Sequence, residues 1–239
     1  MDAKDYIPHL KELKNRFIVI GIFFVVVFIA CYFYSNDILN FILKKGMDAG
    51  YNFVYLEPQE ILVEQLKLDG LVTLIISLPL IITEISLFVA PAIESKFSII
   101  IPVIFGTLMF LVGVAFSYYV LIPFVFYTLY ELGITSGITA QVSVSSYISL
   151  YLTLLFAIGF IFELPLVSLG LTKASVISSD KMKRGRKVAI IIAFILGALI
   201  TPPDVLSQAV VAIPIILLYE LSIKLCQLAE RGNKKCELD

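Results

Sequence analysis

The sequence predicts an all-α polytopic membrane protein with six transmembrane helices, and three observations predict it. Of 239 residues, 59% are hydrophobic and 15% charged, with mean hydropathy +0.97; a soluble domain carries about 25% charged residues. The apolar residues gather in six stretches, roughly 17–34, 71–90, 98–130, 146–171, 188–200 and 205–219, each a candidate span. The basic residues alternate sides: fifteen lie in the N-terminus, the connections after the second and fourth stretches and the tail, against three (Lys44, Lys45, Lys67) elsewhere. Positive residues stay on the cytoplasmic side during insertion, so both termini are expected inside, which requires an even number of spans. An ordinary soluble enzyme and a disordered chain are excluded. The net charge of −1 says nothing of partners, because the signs are segregated along the chain, and no nucleic-acid partner is expected.

The elements follow in order within a single integral-membrane domain, 1–239. The first stretch resembles a signal peptide, but its apolar run of 18 residues exceeds the ~7–15 of a signal core, and FIAC before Tyr32 is a poor cleavage site. It is therefore an uncleaved helix. Before it, residues 1–16 form an amphipathic cytoplasmic helix, with His9, Glu12 and Arg16 on one face and Leu10, Leu13 and Phe17 on the other. The outside loop, 35–66, has turn signals at Lys45-Gly46 and Ala49-Gly50 and a short helix from Pro58, with Glu60 and Glu64 one turn apart. The third stretch, at ~1.5 Å per residue, reaches about 50 Å against a ~30 Å hydrocarbon core, so Pro102 and Pro123 are expected bend points. The last two helices are short, the fifth about 20 Å. Pro202 and Pro203 stop the fifth in the turn Thr201–Asp204, and Asp204 caps the sixth. The bilayer should thin there, or water enter. Residues 220–239 form a cytoplasmic tail.

Few residues carry chemistry. Glu163 lies well inside the fourth stretch, where a carboxylate costs roughly 2.5–3.5 kcal/mol and by default faces a polar interior or a cavity. Pro165 frees a backbone carbonyl near Phe162 and kinks the helix. The plain structural alternative is a protonated carboxyl bonded to a neighbouring helix. Glu84 is interfacial, with Lys96 as a candidate partner, and Glu220 is spaced to pair with Lys224. Cys31, Cys226 and Cys236 make no disulfide framework, and the lone His9 excludes a His-built metal or acid–base site. No metal or cofactor is expected. Neither G-x-S-x-G nor H-E-x-x-H occurs, and Asp204 has no buried aspartate partner, so an enzyme is not expected. A proton-coupled carrier of small solutes, with Glu163 as its proton site, remains an alternative, weakened by the absence of repeats.

Four segments in order resemble the TatC family, the multispanning core subunit of the twin-arginine (Sec-independent) protein translocase. They are HLKELKNR before the first span, FVAPA (88–92), GFIFELP (159–165) and TPPDVLSQ (201–208). The region from Gly113 to Tyr118 and Pro123 is similar too, so the resemblance covers nearly the whole chain. It implies a cup- or glove-shaped fold in the cell membrane that binds folded cargo through a signal peptide bearing consecutive arginines and exports it with the proton-motive force. It implies single-span TatA/TatB-type partner subunits and a homo-oligomer within the receptor complex. The glutamate of H-L-x-E-L, which contacts the arginines, is Glu12; where the family usually continues with Arg, this chain has Lys14, which keeps the charge but lacks the bidentate fork. The second arginine-binding acid falls to Glu94, a few residues early in a shortened connection. Glu84 stands where glutamine is common. The resemblance places Glu163, with Phe88 and Pro165, in a concave groove for a signal helix or partner helix, and Asp204, Pro202 and Pro203 in the fifth-to-sixth turn.

Overall fold

Lipid offers a backbone no hydrogen-bond partners, so apolar stretches must satisfy their own N–H and C=O groups, and helices make up almost all of the described chain. The computed structural model describes residues 3–89, 100–135, 141–174, 176–201 and 205–236, with side chains except at 3–12, 88–89, 134 and 231–236. By packing, the chain forms two compact units, Met1–Thr107 with Gln141–Ile148, and Leu108–Ala140 with Ser149–Asp239.

In the first unit, α1 (Ala3–Tyr32) joins the amphipathic segment and the first span in one uninterrupted helix. A tight turn, Tyr34 N–H to the Cys31 carbonyl at 2.8 Å, leads into α2 (Ser35–Asp48). The expected turn at Lys45-Gly46 is not one: Gly46 is inside α2, because a Cβ there would overlap the ring of Phe53 and lie 2.9 Å from Tyr147 Cζ. The glycine serves close packing. The chain does turn at Ala49-Gly50, where Gly50 adopts φ 95°. Strand β1 (Asn52–Val54) pairs in parallel with β2 (Gln141–Ser143), Phe53 opposite Val142. The helix expected from Pro58 is also longer than anticipated. It begins α3 (Glu60–Val89), whose 30 residues run unbroken into the second span, about 45 Å in all. The stretch 35–66, expected as a loop, is thus largely helical.

The first turns of α4 (Ile100–Phe116) and α6 (Val144–Ile161) belong to the first unit and the rest of both helices to the second. Pro102 is the third residue of the described part of α4. At Pro123, whose ring removes the bond to the Tyr119 carbonyl, the helix widens into a π-helical turn, Ser117–Leu121, before α5 (Ile122–Thr135). Pro165 splits the fourth stretch: α6 ends at Ile161 and α7 (Leu164–Lys173) starts anew. A short α8 (Ser179–Arg184), capped by Ser178, leads to α9 (Arg186–Ile200). Its 15 residues give about 22 Å, as short as expected. The last helix corrects the sequence reading: α10 (Val205–Cys236) has 32 residues and is not short. Its apolar run thins after Tyr219, but Leu218, Ser222, Ile223 and Cys226 keep a buried stripe at helical spacing. Ile223 and Cys226 pack on Met182 of α8, so most of the supposed tail is helix. Among the described residues, five helices are long and apolar enough to cross a membrane by length and composition.

Candidate functional site

In the second unit the site is built around the break between α6 and α7. Two glycines let α4 and α6 interdigitate. A Cβ at Gly113 would stand 2.8 Å from Phe162 Cβ, and one at Gly159 would stand 2.8 Å from Phe110 Cε2. Phe162 thus seats in a notch of α4, with Phe116 at 5.9 Å between ring centroids. Pro165 deprives the Ile161 carbonyl of its helical donor, so the chain tightens there, Glu163 N–H bonding the Phe160 carbonyl at 3.0 Å. Glu163 is the residue the break presents. Its side chain is buried, and Oε1 has no hydrogen-bond partner among the described residues. The expected bond to a neighbouring helix is therefore not made by that oxygen. Pro165 is buried in the first turn of α7, and Ser117, fully buried in the π-helical turn, has a hydroxyl likewise unpartnered.

At the α9–α10 turn, Pro202, Pro203 and Asp204 lie outside the described residues. Their flanks are held closely. Gln208 donates to the Phe194 carbonyl at 2.7 Å, Thr201 to the Gly197 carbonyl at 2.8 Å, and a Cβ at Gly197 would meet the Gln208 carbonyl at 2.9 Å. At the other end of these helices Glu220 is taken by Arg186, not Lys224. Arg186 Nε donates at 2.8 Å and Nη2 at 2.9 Å, a bidentate pair. Tyr219 donates to the Met182 carbonyl at 2.8 Å, and Glu230 accepts both the N–H and the hydroxyl of Ser179.

In the first unit, α1 carries the motif residues. Glu12 lies in the helix but its side chain is outside the described set, as is that of Phe88; Glu94 and Lys96 lie wholly outside it. Lys14 is exposed. Glu84 is held by Arg16, whose Nη1 donates to it at 2.7 Å, with both side chains under a fifth exposed. This α1–α3 ion pair was not legible in the sequence, since its partners are 68 residues apart. Nor was the polar inner side of α3. Glu60 accepts the Leu56 N–H at 2.6 Å and the Ser145 N–H at 2.6 Å, and Glu64 accepts Lys67 at 2.7 Å and the Ser145 hydroxyl at 2.9 Å. Glu60 thus satisfies one N–H that the first turn of α6 would leave unpaired. Asp69, never singled out by motif, is fully buried and accepts the Ser35 hydroxyl. The signal that finds it is the four-residue spacing Asp69, Thr73, Ser77.

Comparison with known proteins places the chain. A family model described as TatC, Sec-independent protein translocase protein, matches residues 8–214. The chain is 36% identical over 238 residues to the Sec-independent protein translocase protein TatC of Helicobacter pylori strain J99, covering 99% of this chain and 94% of that protein. It is 36% identical to the protein of the same description from Aquifex aeolicus, covering 96% and 97%. A crystal structure of the twin arginine translocase receptor TatC superposes with TM-score 0.81 at 33% identity, covering 93% of this chain and 99% of that one.

Proposed function

Because the chain belongs to the TatC family of Sec-independent protein translocase proteins, we propose that this multi-pass membrane protein recognises the Arg-Arg signal peptide of folded cargo and nucleates the translocation complex. Glu12 and Glu94 each accept a guanidinium fork, a geometry that selects Arg over Lys because only the planar fork satisfies both carboxylate oxygens. Lys14, beside Glu12 in α1, sets the spacing and sign of charge around the site. Glu163, with Phe88 and Pro165, gives the apolar part of the signal helix or a single-span TatA/TatB-type helix a polar foothold. The turn of Pro202, Pro203 and Asp204 keeps α9 and α10 closely apposed. The protein crosses the cell membrane six times, with α9 as the short fifth span and both termini cytoplasmic. It assembles as a homo-oligomer and couples export to the proton-motive force. The observation that carries the groove is the Glu163 Oε1 atom, buried without a partner among the described residues beside a proline-made break, since an ionisable group in a span is retained for use. The solute-carrier alternative is not favoured by the family assignment.

The test is crosslinking of an Arg-Arg leader to membranes. Glu12→Ala abolishes the crosslink while the protein inserts and assembles; an unchanged crosslink overturns the role of Glu12. Export of a folded reporter should fail when its Arg-Arg pair becomes Lys-Lys.

A further inference from the structure

We propose that the face of α3 bearing Asp69, Thr73, Ser77 and Glu84, covered by α1, is a gated proton path, its ligand a proton carried on a file of water. The orientation rests on the reading above. At about 100° per residue these four side chains fall on one side of α3. The contacts of that side go to one place: Asp69 to Ser35 at the start of α2, Gly70 to the Phe28 ring of α1, Glu84 to Arg16 of α1. Glu60 and Glu64 point elsewhere, toward Ser145.

Asp69, Thr73 and Ser77 are each 0% exposed. Thr73 turns its hydroxyl onto the Asp69 carbonyl at 2.6 Å, but Asp69 Oδ1 and Ser77 Oγ have no partner among the described residues. Two orphan oxygens on one buried stripe are what ordered water satisfies. From Asp69 to Glu84 the stripe runs about 22 Å, most of a ~30 Å hydrocarbon core. Bridging waters span the gaps between its side chains. The opposite side of the same helix carries the exposed Ile85, whereas Asp69, Thr73 and Ser77 are fully buried, so these three are not surface residues.

The two ends differ. At the outer end Asp69 takes a proton from outside water. Each water of the file, and the Ser77 hydroxyl, then accepts one proton and donates another, and one proton leaves on the cytoplasmic side. No residue is changed by the cycle. At the inner end Arg16 sits on Glu84, and its fixed positive charge excludes hydronium as cationic constrictions do. Glu12 precedes Arg16 by one turn of α1, so a passenger guanidinium arriving at Glu12 repels Arg16 and opens the path. The other titratable groups from packed elements are Cys31 of α1, buried one turn before Ser35, and Lys45 of α2; Asp37, Lys44 and Asp48 of α2 are exposed.

The experiment uses the complete translocase in energised membrane vesicles, with protons as the probe and a pH-sensitive dye as the readout. Asp69→Asn, which keeps an acceptor for Ser35, and Ser77→Ala, which removes an oxygen that makes no bond here, should each lower passenger-driven proton flux about tenfold or more. Crosslinking of the Arg-Arg leader should be unaffected. Ser77→Thr should restore flux, and Arg16→Gln should leak without passenger. Should Asp69→Asn fail to accumulate, Ser77→Ala alone decides. Wild-type flux in Ser77→Ala with leader capture intact overturns the path and leaves the recognition reading standing, whereas equal capture of Arg-Arg and Lys-Lys leaders overturns that reading instead.

Discussion

Replacing Gly113 with alanine tests whether Glu163 is held by the packing of Phe162. The new Cβ would lie 2.8 Å from both Cβ and Cγ of Phe162 and 3.0 Å from Cδ2, where ordinary contact begins at 3.4 Å. Phe162 Cβ is fixed to the backbone, so no rotamer change relieves the contact, and α4 or the α6–α7 junction must move by about 0.6 Å. Overpacking of this kind costs about 1–3 kcal/mol, and the helix preference of Ala over Gly returns about 0.8–1 kcal/mol. The net loss is about 1 kcal/mol. Gly159→Ala meets instead the edge of the Phe110 ring, 2.8 Å from Cε2 and 3.1 Å from Cζ, which can tilt, and Gly21→Ala meets nothing within 4 Å. Thermal unfolding in detergent, followed by circular dichroism, should rank Gly21→Ala at or above wild type, Gly159→Ala below it and Gly113→Ala lowest. A Gly113→Ala protein that melts at or above wild type refutes the notch as the origin of the Glu163 placement.

Three other outcomes follow from named contacts. Arg16–Glu84 lies between exposed pairs, worth about 0–1 kcal/mol, and buried ones, whose breakage costs about 3–5 kcal/mol, so a cycle of Arg16→Met and Glu84→Gln should return a coupling of about 1–3 kcal/mol. A coupling near zero means the α1–α3 contact does not depend on the pair. Glu230→Ala removes the acceptor of two Ser179 bonds, about 2–3 kcal/mol for a partly exposed charged acceptor; trypsin should then cut faster within α8, and an unchanged rate shows that α8 is anchored by Met182 and Tyr219 alone. Glu163→Gln should retain leader crosslinking but lower reporter export, while wild-type export by that variant leaves its carboxyl with a structural role.

What the sequence discloses here is what one helix dictates to itself. The break at Pro165, a disturbance of the helix at Pro123 and the shortness of α9 follow from missing N–H groups and run lengths and were legible; that the disturbance is a π-helical turn and not a simple bend was not. Gly46 was misread because a glycine needed for contact with Phe53 and one needed for a turn look alike in one dimension. The length of α10 was missed because its later turns mix Lys224, Gln227 and Glu230 with the buried Ile223 and Cys226, so composition ended the span while periodicity continued it. Of the candidate site, Glu163 announced itself by its setting. The Arg16–Glu84 pair did not, because only the docking of α1 on α3 brings its members together. Asp69 was passed over because its meaning lies in its register with Thr73 and Ser77.

Both units solve one physical problem, and its solution separates adhesive from reactive polar groups. Lipid is as apolar as leucine, so burial of apolar surface does not hold such helices together; close backbone approach and polar bonds do. The glycine notches at Gly113, Gly159 and Gly197 supply the first, and α3 supplies the second, turning Glu60, Glu64, Asp69, Thr73 and Ser77 inward while Leu62, Leu66 and Ile76 face out. A buried carboxylate by itself therefore implies no activity: both oxygens of Glu60 are occupied by backbone N–H groups, as adhesion requires. Glu163, Asp69 and Glu64 each keep a buried oxygen that has no partner among the described residues, so each is open to the same test. An adhesive acid should tolerate replacement by its amide wherever N–H donors can turn to the remaining carbonyl. An acid retained for docking or for proton transfer should lose its function on the same change while the helices stay packed.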